Sequence, residues 1–389
     1  MAKIKLGIRK NLFYPMMLII INFFREIDLI VINENKNIII EFTELKTLIM
    51  FLSECISGLI IYKYQLNFLS KKNEQKSSKV MGIKLIKRSA FSSKKERLDN
   101  GFKIYFYIFT ASFLDFIGFM LSTYEIFENF SYTLEDRLKS LLAILSSLLC
   151  YYLLKFPIFR HQKCSLIVIF ICLIIIIIIE YIFIPINTGT NFKSLSLNLL
   201  FILIQDLFYS FIDIIEKYLF EYDSINPFQM LMFEGIFGFI LTFIFSIINS
   251  SFTKMLDDFS KLLIDYKILF IICLIIYFIL SGAYNSYRVL INKLYSPTTL
   301  SLTYCFLDPL FIIFYNIIKE DTLRKNNYYL IINLFLSFFI VLCVCIYNEL
   351  FVLFCFKLEK DTYYEISERS YSDIIESLEN TEPVEIELT

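Results

Sequence analysis

Apolar stretches of about twenty residues, parted by short polar segments, fill almost the whole chain. Ten of them stand out, at about 12–32, 45–65, 102–124, 138–157, 164–184, 197–220, 227–248, 267–290, 297–318 and 328–356. Each is near the length that crosses a hydrocarbon core as a helix. Backbone polar groups have no partner in lipid except one another, so the pattern predicts helices rather than open strands. The first stretch carries Arg25, Glu26 and Asp28 at its far end, which shortens it. Two polar interruptions are longer than the rest, one over 66–101 and one over 359–389.

Composition strengthens this reading. Of 389 residues, 57% are hydrophobic and 18% aromatic, and the mean hydropathy is +0.63. Ordinary soluble domains are about 45–50% apolar, so a multi-pass protein of the lipid bilayer is predicted. The N-terminal "MAKIKLGIRK" is basic and leads into the first stretch, with no small-residue cleavage site after it. It is read as a cytosolic cap rather than a signal peptide.

The net charge of −1 hides a segregation of signs. Segment 66–101 holds ten basic residues from Lys71 to Arg97, and "KFPIFRHQK" (155–163) is basic too. With an even number of spans, the positive-inside bias puts these segments and both termini in the cytosol. The sequons at Asn129 and Asn249 then fall on the lumenal side. The basic loop reads as a topological anchor, without a nucleic-acid partner. Segment 359–389 is acidic and reads as a mostly disordered tail. Its "YYEI" and "YSDI", at Tyr363 and Tyr371, fit short tyrosine-based signals for sorting adaptors. An endomembrane compartment (Golgi, endosome, lysosome or vacuole) follows as an expectation.

Enzyme chemistry finds no support. There is one histidine, His161, and no HxxxxD, HExxH, GxSxG or phosphate-cradling loop. The nine cysteines lie in or beside apolar stretches with no CxxC. No metal, cofactor or disulfide framework is expected.

Two spans repeat a motif. "MFLSECISGLI" (50–60) and "MLMFEGIFGFI" (230–240) both fit Met-x-x-x-Glu-x-Ile-x-Gly-x-Ile. Glu234 follows Glu54 by 180 residues, which is five spans. An odd number of spans per half inverts one half relative to the other. In each copy the Gly lies four residues after the Glu, on the same helix face, where small residues admit a neighbouring backbone. Asp115 in the third span and Asn285 in the eighth form a weaker echo. The predicted fold is therefore all-α and integral to the membrane. Ten helices form two inverted five-helix repeats, 1–190 and 191–358, around a central cavity, with the tail after them.

The same residues resemble a known family. "MFLSE" is similar to the Phe-Leu-Gly-Glu signature of the drug/metabolite transporter superfamily, in the solute carrier family 35 branch of orphan F-type. "IIEKYLFEYDSINPFQMLMFEGIFGF" (214–239) resembles that branch's junction of helices six and seven, with its Glu-Lys pair, Pro and Glu-Gly in order. "LKFPIFRHQKCSLIVIF" (154–170) looks like its turn between helices four and five. The chloroquine-resistance-type transporters are close in layout. The resemblance spans about 40–350. It departs at Ser53, where the family has Gly, and at Leu300, where a basic residue is expected. It implies a ten-helix carrier working by alternating access on a small solute. The missing basic residue weakens a nucleotide-sugar substrate.

Ionisable residues inside spans normally face the interior and mark a pathway. The inventory is Glu54, Asp115, Asp206, Asp213, Glu234, Arg288 and Asp308, six acidic and one basic. Clustered around one cavity, they would favour a cationic or zwitterionic solute, or protons. The site expected is Glu54, Asp115, Asp206, Glu234, Asn285, Arg288 and Asp308. Glu54 and Glu234 either gate a solute or pack helices. Asp213 reads as an ion pair with Lys217, one turn on. Arg288 either snorkels to the interface or neutralises Asp115 or Asp308. Pro309 breaks the ninth span beside Asp308, whereas Pro227 and Pro297 open helices. The leading function is a secondary transporter of a small organic solute, with proton coupling as an option. The alternatives are a nucleotide-sugar exchanger of the secretory pathway or a non-transporting scaffold on a carrier fold. The oligomeric state has no signal.

Overall fold

The computed structural model describes residues 13–34, 43–77, 94–123, 133–188, 192–248, 267–318 and 327–351. The tail with Tyr363 and Tyr371, and both sequons, lie outside the described residues. Within them the helices are α1 (Phe13–Glu34), α2 (Thr43–Ser77), α3 (Lys94–Thr123), α4 (Thr133–Leu153), α5 (Arg160–Thr188), α6 (Phe192–Glu221), α7 (Pro227–Ile248), α8 (Lys267–Leu294), α9 (Pro297–Tyr304), α10 (Leu307–Ile318) and α11 (Asn327–Tyr347).

Six are long and apolar enough to cross a membrane: Leu45–Asn67, Phe102–Leu121, Arg160–Ile182, Leu195–Glu221, Pro227–Ile248 and Ile271–Leu294. Leu138–Leu153, Pro297–Ile313 and Ile331–Tyr347 are shorter apolar stretches. α1, with Arg25, Glu26 and Asp28 in its second half, is in neither group. The predicted basic loop is partly helical, because α2 runs on to Ser77 and α3 begins at Lys94.

Side chains are sorted as lipid requires. α5 exposes Ile167, Phe170, Ile171, Ile174, Ile178 and Ile182, and α11 exposes Ile331, Phe335, Phe338 and Leu342. Glu54, Asp213, Glu216, Glu234, Asp206 and Asp308 are buried. An apolar exterior around a charged interior is costly in water and suits a hydrocarbon solvent.

The most extensive helix contact is that of α2 with α7. A Cβ on Gly58 would lie 2.7 Å from Met232 N and 2.8 Å from Phe228 O. One on Gly235 would lie 2.6 Å from Phe51 O and meet the backbone of Cys55. Contacts move down α7 as they move up α2, so the pair is antiparallel. Only glycine lets the backbones come this close. Gly235, outside the repeated motif, makes the closer of these two backbone approaches. Gly238, inside the motif, receives the Phe51 ring instead.

α1 packs on α8, α3 on α6 and on α7, α2 on α8, α4 on α6 and on α9, and α5 on α11. The α5–α11 pair is clasped at both ends. Tyr329 OH lies 2.8 Å and 2.9 Å from the two carboxylate oxygens of Glu180. His161 Nε2 lies 3.6 Å from Glu349 at the other end.

The ninth apolar stretch is two helices. α9 opens on Pro297, with Ser296 Oγ accepting from Thr299 N at 3.1 Å. It stops at Tyr304, and Cys305 and Phe306 form a turn before α10. Pro309 therefore stands in the first turn of α10, where a missing N–H costs nothing. The interruption at Cys305–Phe306 lies one turn before Pro309, where the absent N–H and the ring of the proline disturb a helix. α7 likewise opens on Pro227, with Asn226 Oδ1 accepting from Phe228 N at 2.9 Å.

Candidate functional site

Arg288 of α8 is the hub of the interior. Its guanidinium approaches Glu216 at 2.7 Å, Asp213 at 3.3 Å and Glu234 at 3.6 Å. The side chain is 12% exposed, and the three carboxylates are between 0% and 6%. Asp213 and Glu216 are three residues apart on α6 and so share a face. Arg288 and Asn292 share a face of α8 in the same way. Asn292 Nδ2 donates to Glu216 Oε2 at 2.8 Å and to the Asp213 carbonyl at 2.7 Å. Two helices thus meet through two facing polar pairs.

Glu234 enters from α7, and its backbone carbonyl accepts from Ser112 of α3 at 2.9 Å. Glu54 of α2 lies within the field of Asp115, Arg288 and Glu216. Asp115 of α3 lies within the field of Arg288 and Glu216. Four helices therefore deliver Glu54, Asp115, Asp213, Glu216 and Glu234 to the surroundings of one guanidinium on a fifth. Glu54 is 1% exposed, and its Oε2 makes no hydrogen bond. Asn285, one turn before Arg288, is 4% exposed with an unpartnered Nδ2.

Asp206 and Asp308 stand apart from this cluster. Ser337 Oγ of α11 donates a short hydrogen bond to Asp308 Oδ2. Both aspartates and Lys139 of α4 act electrostatically on Cys305 at the α9–α10 turn. The expected site residues thus divide into two groups, Glu54, Asp115, Glu234 and Arg288 with neighbouring Asn285, and Asp206 with Asp308.

Three expectations need correction. Asp213 does not pair with Lys217. Lys217 Nζ donates to the carbonyls of Lys293 and Tyr295, at 3.0 Å and 2.8 Å, and pairs with Glu221 at 2.9 Å. The last carbonyls of a helix lack intrahelical donors, and a cation there also meets the negative end of the helix dipole. Arg288 neither snorkels nor seeks Asp308, because α6 presents two carboxylates to it directly. The interior also holds more than one base: Lys217 is 3% exposed, and Arg25 is 17% exposed beside Glu26 at 2.7 Å. Glu216 and Asn292 escaped the sequence inventory. The i,i+3 spacing to Asp213 and the i,i+4 spacing to Arg288 were the available signals.

Among the described residues no group of His, Cys, Asp and Glu is arranged to hold a metal ion. Compared with protein-family models and with curated protein sequences, the chain matches none.

Proposed function

We propose that the protein is a secondary transporter of a small organic solute, built from ten membrane-crossing helices in two inverted halves and working by alternating access. The observation that carries this reading is the charge imbalance in the interior. Three carboxylates pair with one guanidinium and two more, Glu54 and Asp115, lie within its field, in a region shielded from solvent. Excess charge of one sign is costly in a low-dielectric interior, so it calls for a counter-charge. Bound protons or a cationic group on a solute would supply it, and exchange between them is the basis of a proton-coupled carrier.

The packing supports the inverted repeat. Counting α9 with α10 as one unit, α2, α4 and α5 each contact the element five places on, namely α7, α9 and α11. The contact of α1 with α8 has its counterpart in α6 with α3, and that of α2 with α8 in α7 with α3. Cys55 and Gly235, which meet at the α2–α7 crossing, are 180 residues apart, the same interval as the repeated motif. These are the relations a two-fold axis in the membrane plane produces. The proposed compartment is an endomembrane, on the tyrosine-based signals of the tail, and both termini are placed in the cytosol on the Lys and Arg distribution.

A non-transporting scaffold would have its interior polar groups satisfied. Glu54 Oε2 and Asn285 Nδ2 are not, which favours the carrier. The test is uptake into proteoliposomes driven by an imposed pH gradient, for the wild type and for Asp115→Asn and Glu234→Gln. Both variants should lose the gradient-driven component. Unchanged flux and unchanged pH dependence in both would refute the assignment.

A further inference from the structure

The Arg288 cluster lies just inside the end of the bundle where α6 and α8 finish and α7 and α9 begin. On the topology proposed above, this end faces the cytosol. α6 steps outward through it in order. Asp213 and Glu216 are buried in the cluster, Lys217 follows and is buried as well, and Glu221, one turn further, is 50% exposed. On α6, Lys217 is therefore the last buried charge between the carboxylates and solvent. α8 runs in step with it. Arg288 and Asn292 belong to the cluster, and the carbonyl of Lys293 accepts from Lys217 Nζ at 3.0 Å.

The second acceptor of Lys217, the Tyr295 carbonyl at 2.8 Å, lies in the two-residue link between α8 and α9. That link is stiff. Tyr295 N still donates to the Ile291 carbonyl at 2.9 Å, Ser296 caps α9, and Pro297 has its φ fixed by its ring. The end of α8 and the start of α9 thus form one rigid corner, and one ammonium fastens it to α6. The corner also covers α4. Cys150 of α4 is buried, bonds to Thr298 in the first turn of α9, and packs with Ile214 of α6.

The partners of Lys217 are of two kinds. The two carbonyls belong to the α8–α9 corner, whereas Glu221 sits on α6 and pairs with Lys217 at 2.9 Å. When the corner moves away, the ammonium keeps Glu221 and gains water, so no bare charge is left in a dry interior. Only the two bonds to the corner have to break.

We infer that Lys217 is the latch of a gate at this end: bound to the Lys293 and Tyr295 carbonyls it holds the α8–α9 corner against α6 and seals the carboxylate cluster, and its release opens the cluster to the cytosol. This rests on the carrier reading above and adds to it the residue that controls access from one side.

Cys150 reports the position of the corner, because a buried thiol reacts only when its surroundings open. The purified full chain is treated with a water-soluble maleimide, and the labelling rate of each cysteine is read by peptide mass spectrometry. Cys172 and Cys343, buried where α5 meets α11, are the internal controls. Lys217→Met should speed labelling of Cys150 by about tenfold or more, the worth of one charge-assisted hydrogen bond, and leave Cys172 and Cys343 unchanged. Glu221→Gln should leave Cys150 as protected as in the wild type, since both bonds to the corner remain. Equal acceleration at all three cysteines in Lys217→Met would show a support of the whole fold and overturn the latch. So would an unchanged Cys150 rate, or equal acceleration of Cys150 by Glu221→Gln. Selective exposure of Cys150 in Lys217→Met, with no gradient-driven uptake by the wild type, supports the gate and refutes the carrier. Uptake by the wild type with Cys150 unchanged in Lys217→Met overturns the latch alone.

Discussion

Arg288→Gln is the perturbation that tests the interior most directly. It keeps a polar side chain and removes the one guanidinium shared by Asp213, Glu216 and Glu234. That guanidinium stands 2.7 Å from Glu216, 3.3 Å from Asp213 and 3.6 Å from Glu234, and none of the four side chains is more than 12% exposed. An exposed ion pair would contribute about 0–1 kcal/mol. Removing one partner of a buried pair costs about 3–5 kcal/mol, because the other charge is left uncompensated. Spread over a chain of this size, that is a fall in Tm of about 4–8 °C. The chain has no tryptophan, but Cys150, Cys172, Cys305 and Cys343 are buried and unbonded. A thiol-reactive fluorophore therefore reports unfolding in detergent. Glu216→Gln should destabilise the wild type but restore about 1–3 kcal/mol in the Arg288→Gln background, since it removes a carboxylate that has lost its partner. A Tm for Arg288→Gln within about one degree of wild type would refute the reasoning, as would strictly additive effects in the double variant.

Two further outcomes are expected in the same assay. Gly235→Ala places a methyl group 2.6 Å from the Phe51 carbonyl and against the Cys55 backbone, so α2 and α7 must separate at a cost of about 1–3 kcal/mol. A Tm equal to wild type would show that the crossing is looser than described. Lys217→Met should lose about 1.5–3 kcal/mol for each charge-assisted bond to the carbonyls of Lys293 and Tyr295. Glu221→Gln should change stability by less than about 1 kcal/mol, because Glu221 is half exposed. Equal losses in the two would place the energy of Lys217 in its ion pair instead.

Much of the architecture was legible in one dimension. Lipid forces helices of a set length with apolar outer faces, and both requirements are local, so runs such as 164–184 reveal themselves without knowledge of their neighbours. Pro227 and Pro297 mark helix starts for an equally local reason, the fixed φ and absent N–H of proline. The inward placement of Glu54, Glu234 and Asp308 also followed from the cost of charge in hydrocarbon.

Pairing was not legible, because it is set by which helices touch. From the sequence alone, Lys217 was the natural partner of Asp213, one turn away on the same helix. Only the meeting of α6 with α8 directs Asp213 and Glu216 to Arg288 and releases Lys217 to the open carbonyls at the end of α8. Glu216 looked like half of a routine Glu-Lys pair and proved to be among the most buried carboxylates of the described residues. The repeated Glu and Gly pointed to the helices that cross, but Gly235 makes the closer backbone contact, since the rotation of α7 against α2 is decided by packing of the whole bundle. The sequence by itself determined a helical membrane protein with charge turned inward. The tertiary structure decided which charges meet, because electrostatic energy depends on distances between helices that no spacing along the chain records.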